Sequence, residues 1–415
     1  MNRVKGMECI SCRGKVAYDA KKVQYLCPEC GGNLEILFDY QHIGKYFTRE
    51  ALAASKDFSM WRYAPLLPIQ DLSRIPPLHI GWTPLYHAGK MGAVLGMSQL
   101  YLKDDGRNPS ASLKDRAGAV ALVCALERGI SSITGASTGN AGSSMACLCA
   151  SVGIRPVIFV PEKAPRAKIA QLLLYGARVL MVRGTYDEAF DLCLKVSDTY
   201  GWFNRNTGYN PFTREGKKTC ILEICEQLMW DAPDWVFVSV GDGNIISGMW
   251  KGLRDLNELG FIKKLPRICA VQSEKSNAVA QAVKNYQDGP ITVKPVKATT
   301  IADSISVDLP RDGIAAVRAV LETKGEAVEV SDEEILENIK FLAHHSGIFG
   351  EPAGVTSLAG LRKLLKKGIV KPDEKVACII TGNGLKDVDS ALKVAGSGET
   401  IDPTLEAVKK VLEKN

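Results

Sequence analysis

The chain has 415 residues, 46% hydrophobic and 24% charged, with a formal net charge of +6; this is the balance of soluble globular domains, and the length predicts two or three of them. The basic excess is mild and spread along the chain, which suits anionic metabolites and argues against nucleic acid, whose binding calls for a concentrated basic face. No apolar run is long enough to span a membrane, and the opening MNRVKGMECISCRG lacks the apolar core of a signal peptide, so a cytoplasmic protein without a membrane partner is expected.

The first predicted element is a pair of cysteine knuckles. CISC at Cys9 and Cys12 and CPEC at Cys27 and Cys30 are separated by fourteen residues, a spacing that brings four thiolates to one tetrahedral metal and predicts a structural zinc ribbon over residues 1–38. Gly31 and Gly32 let the second knuckle turn tightly. The other cysteines (Cys124, Cys147, Cys149, Cys193, Cys220, Cys225, Cys269 and Cys378) sit among apolar residues, as small buried side chains do in a reducing compartment. A ribbon also admits a nonenzymatic reading, a nucleotide- or nucleic-acid-binding protein, although this segment lacks clustered arginines and aromatics.

Ser73 to His87, rich in proline and glycine, reads as an irregular segment leading into the body. From about residue 98, strand-like runs (QLYLK, SSITGA, RPVIFV, ARVLMV, WVFVSV, RICAVQSE, KVACIITGN) alternate with helical patterns such as RAKIAQLLLYG, YDEAFDLCLKVSDTY and ILEICEQLMW. That alternation predicts an α/β fold of two doubly wound domains with mainly parallel sheets, and it places ligands at the carboxyl ends of strands.

Within NPSASLKDRAG, Ser112 and Asp115 match a helix-start signature before the apolar run AVALVCAL. Lys114 then lies in the first turn, where the positive end of the helix dipole lowers the amine's pKa. A neutral amine is nucleophilic, which is what a lysine needs to form a Schiff base with a carbonyl cofactor. GASTGNAGSS, from Gly135 to Ser144, joins a strand to a helix, and its backbone N–H groups with Ser137 and Thr138 suit a carboxylate. SVGDGNIISG does the same around Gly241 and suits a phosphate. This second loop has a rival reading as a dinucleotide fingerprint with Glu274 on the ribose, against which stand the G-x-G-x4-G spacing and Asp242.

SDEEILENIKFL reads as a capped amphipathic helix, with His344 and His345 closing it before Gly347. TLEAVKKVLEKN is a second amphipathic helix at the end of the chain.

Taken together, GWTPLYHA, SASLKDRAG, STGNAGSS and VGDGNIISG resemble the motifs of the fold-type II pyridoxal-phosphate enzymes. GIFGEPAGVTSLAGL and TGNGLKDVD are most similar to the threonine synthase family, whose members include chains with a cysteine ribbon at the front. The resemblance runs from about Gly81 to Asp389. It implies a large cofactor-binding domain of residues 39–107 and 204–415, a small substrate-side domain of residues 108–203, and a homodimer. It further implies that Lys114 bonds to the cofactor, that Asn140 faces the ring hydroxyl, that Gly241, Asp242, Gly243, Asn244 and Ile245 wrap its phosphate, and that Thr381 meets the pyridine nitrogen. Substrate contacts are expected from Ser112, Ser137, Thr138, Gly139, Arg205, Asn206 and Lys217.

The implied reaction converts O-phosphohomoserine and water to threonine and phosphate. One departure bears on it: the family's N-P-x-R-x-E-G-x-K-T pattern appears here as NPFTREGKKT, with Thr213 at the arginine position and Arg214 one place later, about 100° round a helix. Arg205, Lys217 or Lys218 are the candidates to compensate. Leu113 also replaces the aromatic residue that often precedes the lysine. The alternatives are a cysteate synthase-like enzyme acting on O-phosphoserine and a serine or threonine dehydratase.

Overall fold

A computed structural model describes residues 3–164 and 166–413. The strands are β1 (Val4–Cys9), β2 (Lys15–Val16), β3 (Leu34–Phe38), β4 (Leu85–His87), β5 (Leu100–Asp104), β6 (Ile133–Ala136), β7 (Val157–Pro161), β8 (Arg178–Val182), β9 (Phe203–Asn204), β10 (Trp235–Ser239), β11 (Arg267–Ser273), β12 (Glu326–Val330) and β13 (Val376–Ile380). They form three sheets: β2-β1-β3, β12-β11-β10-β13-β5-β4 and β8-β7-β6-β9. The first is antiparallel, the last is parallel, and the six-stranded sheet is parallel except for its β4 edge.

The apolar runs WVFVS and VACII are buried along their whole length as β10 and β13, as strands covered on both faces by helices must be. At the edges the pattern weakens. β12 is EAVEV, with Glu326 and Glu329 only partly buried, and its polar alternation hid it from a search for apolar runs. β4 lies within the segment expected to be irregular, and its pairing with β5 comes from the register Leu85 to Lys103 rather than from any apolar signal.

Helix boundaries follow local chemistry at several points. Tyr186–Tyr200 starts on a capping box of Thr185 and Glu188 and ends at left-handed Gly201; Asp332–Ser346 starts on Ser331 and Glu334 and ends, after His344 and His345, at left-handed Gly347. The expected signature at Ser112 and Asp115 is a correction. The Lys114–Glu127 helix begins where predicted, but it has no side-chain cap. Asp115 instead accepts from the backbone N–H (2.6 Å) and hydroxyl (2.5 Å) of Ser110, and the Ser112 hydroxyl is buried without a protein partner. The carboxylate thus closes the preceding turn, from Ser110 to Asp115, in place of capping the helix.

Each larger sheet has its switch point toward one cavity. In the six-stranded sheet the order reverses between β10 and β13, and in the four-stranded sheet β6 lies between β7 and β9. The segments leaving β6, β9, β10 and β13 all line that cavity, the place where open parallel sheets leave a crevice at their carboxyl ends.

A buried cavity built on Lys114

The Lys114 segment is held from below and behind. Behind it, Leu113 N–H donates to the Thr381 carbonyl at 2.8 Å, and Asn383 N–H donates to Ala111 at 3.0 Å. Ala111 takes a left-handed φ of 64°, a conformation unfavourable for a side chain that persists because both neighbours are fastened. Below it, Arg116 donates from Nε to Asp105 at 2.7 Å and from its two terminal nitrogens to Asp105 and Glu223. Lys103 completes the set by donating to Glu223 at 2.7 Å. All four charges are fully buried and sum to zero, and Thr83 of GWTPL donates its hydroxyl to Asp105 at 2.6 Å. Burial pushes the Glu223 carboxyl up, but Arg116 and Lys103 outweigh it and hold it at about 2.

The cavity has a volume of about 860 Å³ and Lys114 opens into it. Burial is the main cause that lowers the Lys114 pKa, Glu351 and Asp242 pull the other way, and Arg205 reinforces the drop. Desolvation therefore outranks the helix end as the reason for a neutral amine. Around it lie Gly241, Asp242, Gly243, Asn244, Ile245 and Thr381, together with Ser137, Thr138, Gly139, Asn140, Arg205, Asn206 and Lys217. Ser112 alone among the expected residues is not on the lining; its backbone bridges Gly382 instead.

Two helices of twelve and fifteen residues, Asn140–Ser151 and Asn244–Glu258, start on this wall, neither with a side-chain cap. Their first N–H groups are therefore free to meet anions. Gly243 (φ 86°) has no alternative: a Cβ there would come within 2.7 Å of the Asp312 carbonyl. At Gly241 a Cβ would come within 2.9 Å of Ile305 Cα. Glu274, the ribose ligand of the dinucleotide reading, is exposed and off the cavity.

The NPFTREGKKT segment divides its cations. Arg214 is buried and turned away, donating to Asp312 (2.6 Å), Ser247 (3.1 Å) and the Leu34 carbonyl (3.1 Å). Lys218 is neutralised by Glu215 (2.5 Å) and Asp255 (2.6 Å). Lys217 reaches the cavity and donates to Asn244 Oδ1 at 2.7 Å, with no carboxylate within ion-pair distance among the described residues. Arg205 is buried, donates to Thr207 Oγ1 at 3.1 Å, and leaves Nε and Nη2 without protein partners. Burial lowers both, Arg205 to about 10 and Lys217 well below the lysine range, with Lys114 and Arg205 adding to the effect on Lys217.

One participant escaped the sequence reading. Glu351 caps the Pro352–Lys366 helix by position but makes no side-chain cap; its carboxylate accepts from Asn140 Nδ2 at 2.7 Å. Burial raises its pKa, opposed by Asn140 and Lys114. It lines a smaller neighbouring cavity of about 140 Å³ with Lys386 and Ser304. An acid before proline reads as an ordinary helix cap, and only tertiary packing turns it inward.

At the other end of the chain, the Sγ atoms of Cys9, Cys12, Cys27 and Cys30 lie within 4.8 Å of one another. The Cys9 to Cys30 and Cys12 to Cys27 distances are 3.5 and 3.7 Å, close to the ~3.8 Å edge of a tetrahedron with metal–sulfur bonds of ~2.3 Å. This donor set fits one soft or borderline metal ion.

A pyridoxal-phosphate dependent enzyme family model matches residues 77–382. Threonine synthase of Methanocaldococcus jannaschii is 38% identical over 98% of this chain and 99% of its own, and that of Methanosarcina acetivorans 35% identical over 98% of each. Among solved structures, threonine deaminase isoform 2 of Solanum lycopersicum aligns with a TM-score of 0.66 at 20% identity, over 91% of this chain and 97% of that one, which bears on the fold. The chain belongs to the pyridoxal-phosphate dependent enzymes. Within them, its relatives over nearly the full length make it a member of the threonine synthase family.

The cavity fits pyridoxal phosphate. A lysine amine of lowered pKa faces it, an uncapped helix start after Gly241 and Gly243 offers N–H groups, and Thr381 is on the same lining. Among the described residues no helix is long and apolar enough to cross a membrane.

Proposed function

We propose that the protein is a threonine synthase, as its relatives are named, and that it converts O-phosphohomoserine and water to threonine and phosphate. The observation that carries this reading is Arg205: a buried guanidinium on the cavity with two nitrogens lacking protein partners. A buried cation left this open favours an anionic group in the substrate, apart from the one held by the glycine loop.

Pyridoxal phosphate, when bound, supplies an electron sink next to the substrate's α-carbon. Lys114 is the catalytic residue of this reading: its amine would hold the cofactor, and it is the base that takes the substrate's α-proton and returns protons at the neighbouring carbons. Gly241, Asp242, Gly243, Asn244 and Ile245 would hold the cofactor phosphate, and Asn140 and Thr381 would hold its ring. Ser137, Thr138 and Gly139 hold the substrate carboxylate at the start of the second helix. Arg205 and Lys217 hold the substrate phosphate and steady it as it leaves, taking over from the arginine absent at Thr213. Asn206 stiffens this wall by accepting from Ala136 N–H at 2.7 Å. Ser112 would act through the backbone.

The same reading assigns a structural zinc ion to Cys9, Cys12, Cys27 and Cys30, divides the body into a large and a small domain at about residues 108 and 203, and makes the working unit a cytoplasmic homodimer. The eight buried free cysteines of the body suit such a reducing compartment. Phosphate release by the purified protein from O-phosphohomoserine, beside O-phosphoserine with sulfite and plain threonine, tests it. Turnover of O-phosphohomoserine alone is expected; turnover of either other substrate in its place overturns the assignment.

A further inference from the structure

The cysteine ribbon touches both anion-holding walls of the cavity. Asn33 follows the second knuckle and donates from Nδ2 to the Arg311 carbonyl at 2.7 Å and to Asp312 Oδ1 at 3.0 Å. Asp312, fully buried, also accepts from Asn244 Nδ2 (2.8 Å), Ser247 Oγ (2.5 Å) and Arg214 (2.6 Å), and its backbone N–H donates to the Asp242 carbonyl at 2.8 Å. Asn244 in turn accepts from Lys217 at 2.7 Å. Tyr25 precedes the same knuckle. Its hydroxyl accepts from Asn204 N–H at 2.8 Å, and its ring stacks on Tyr209 with centroids 4.6 Å apart. Asn204 is followed at once by Arg205 and Asn206.

The two contacts stand on opposite arms of one hairpin. Leu26 and Asn33 are bridged, the Cys27 N–H donates to Gly32 at 2.8 Å, and Cys27 and Cys30 lie between them. Gly32 packs so closely that a Cβ would come within 2.9 Å of Cys9 Sγ. The hairpin that carries two of the four sulfurs therefore carries both contacts.

We propose that Asn33 and Tyr25 are positioning residues, through which a metal-held ribbon keeps the glycine loop and the Arg205 wall in register. Hydrogen bonds to a buried carboxylate are strong, and partners of this kind orient groups they do not replace. The role in substrate affinity rests on the function proposed above; the effect on loop order does not.

Asn33→Ala and Tyr25→Phe, made in the full chain, separate the two arms. Hydrogen exchange followed by mass spectrometry is expected to speed up about tenfold over residues 241–246 in Asn33→Ala and over 204–207 in Tyr25→Phe. Stripping the metal from the unaltered protein with a chelator is expected to loosen both segments at once. Cofactor titration by absorbance is expected to weaken about tenfold in Asn33→Ala. In Tyr25→Phe, KM for the phosphorylated substrate is expected to rise several-fold with kcat held. Loss of melting temperature with exchange unchanged in both segments would reduce the ribbon to a structural appendage and overturn the proposal. Unchanged exchange after metal removal from the unaltered protein overturns it equally, whether or not the variants fold. Failure to turn over O-phosphohomoserine would count against the substrate assignment and leave the exchange result standing.

Discussion

Leu113 donates its backbone N–H to the carbonyl of Thr381 at 2.8 Å, so the residue just before Lys114 is tied to the residue just after β13. The backbones that carry Lys114 and Thr381 thereby meet at one junction, made by hydrogen bonds that involve neither side chain.

Lys114→Ala removes the amine and leaves this junction intact. Activity is expected to fall by at least about 10²–10⁴-fold, with loss of the visible absorption band of a lysine-bound cofactor. Borohydride should no longer fix cofactor to the chain, while the circular dichroism spectrum stays unchanged.

Arg205→Ala removes a buried cation with two unpartnered nitrogens. KM for O-phosphohomoserine is expected to rise about 10- to 100-fold, the cost of losing charge-assisted hydrogen bonds. The melting temperature of the ligand-free protein is expected to hold or rise, because no ion pair is broken; a clear fall would show that Arg205 supports the fold.

Lys217 provides a test by pH. Burial holds its folded pKa well below the ordinary 10.5, so between those values the unfolded chain binds a proton that the folded chain does not. Its contribution therefore makes stability rise with pH over that window and level off above 10.5. In Lys217→Met that contribution vanishes, and the difference in urea midpoint between variant and parent should shrink as pH rises toward ~10.5.

Glu223 behaves oppositely. Its carboxyl is held at about 2 against an ordinary 4.5, so its contribution is complete above the ordinary value and is lost as pH falls toward about 2. Glu223→Ala would leave Arg116 and Lys103 facing Asp105 alone and is expected to cost about 3–5 kcal/mol, read as a shift in urea midpoint at neutral pH. The acid transition between pH ~4.5 and ~2 should flatten accordingly.

Elemental analysis of the purified protein is expected to find one zinc per chain. Cys9→Ser, altering the buried member of the first knuckle, should lower occupancy under dialysis and bring forward proteolysis within residues 4–38 before the body is cut. Full occupancy after dialysis would mean that the sulfurs do not hold the ion.

Much of the architecture was legible because its signals are local. Buried parallel strands such as β10 and β13 require unbroken apolar runs, and helices such as Asp332–Ser346 announce their ends by cap residues. Edge strands gave no such signal: β12 carries two glutamates and pairs on one side only. Asp115 misled because one carboxylate has several reachable donors, and the Ser110 turn outcompeted Ser112.

By itself the sequence determined the central strands and the helices between them, the cysteine cluster, the two glycine loops and the lysine that opens a helix, since each depends on residues close along the chain. Tertiary structure alone decided which cations face the cavity: Arg214 and Lys218 found carboxylates and became struts, while Arg205 and Lys217 did not. It also turned Glu351 inward and set the ribbon against Asp312. Charge pairing in a buried space depends on which side chains meet across hundreds of residues, and no spacing along the chain encodes that encounter.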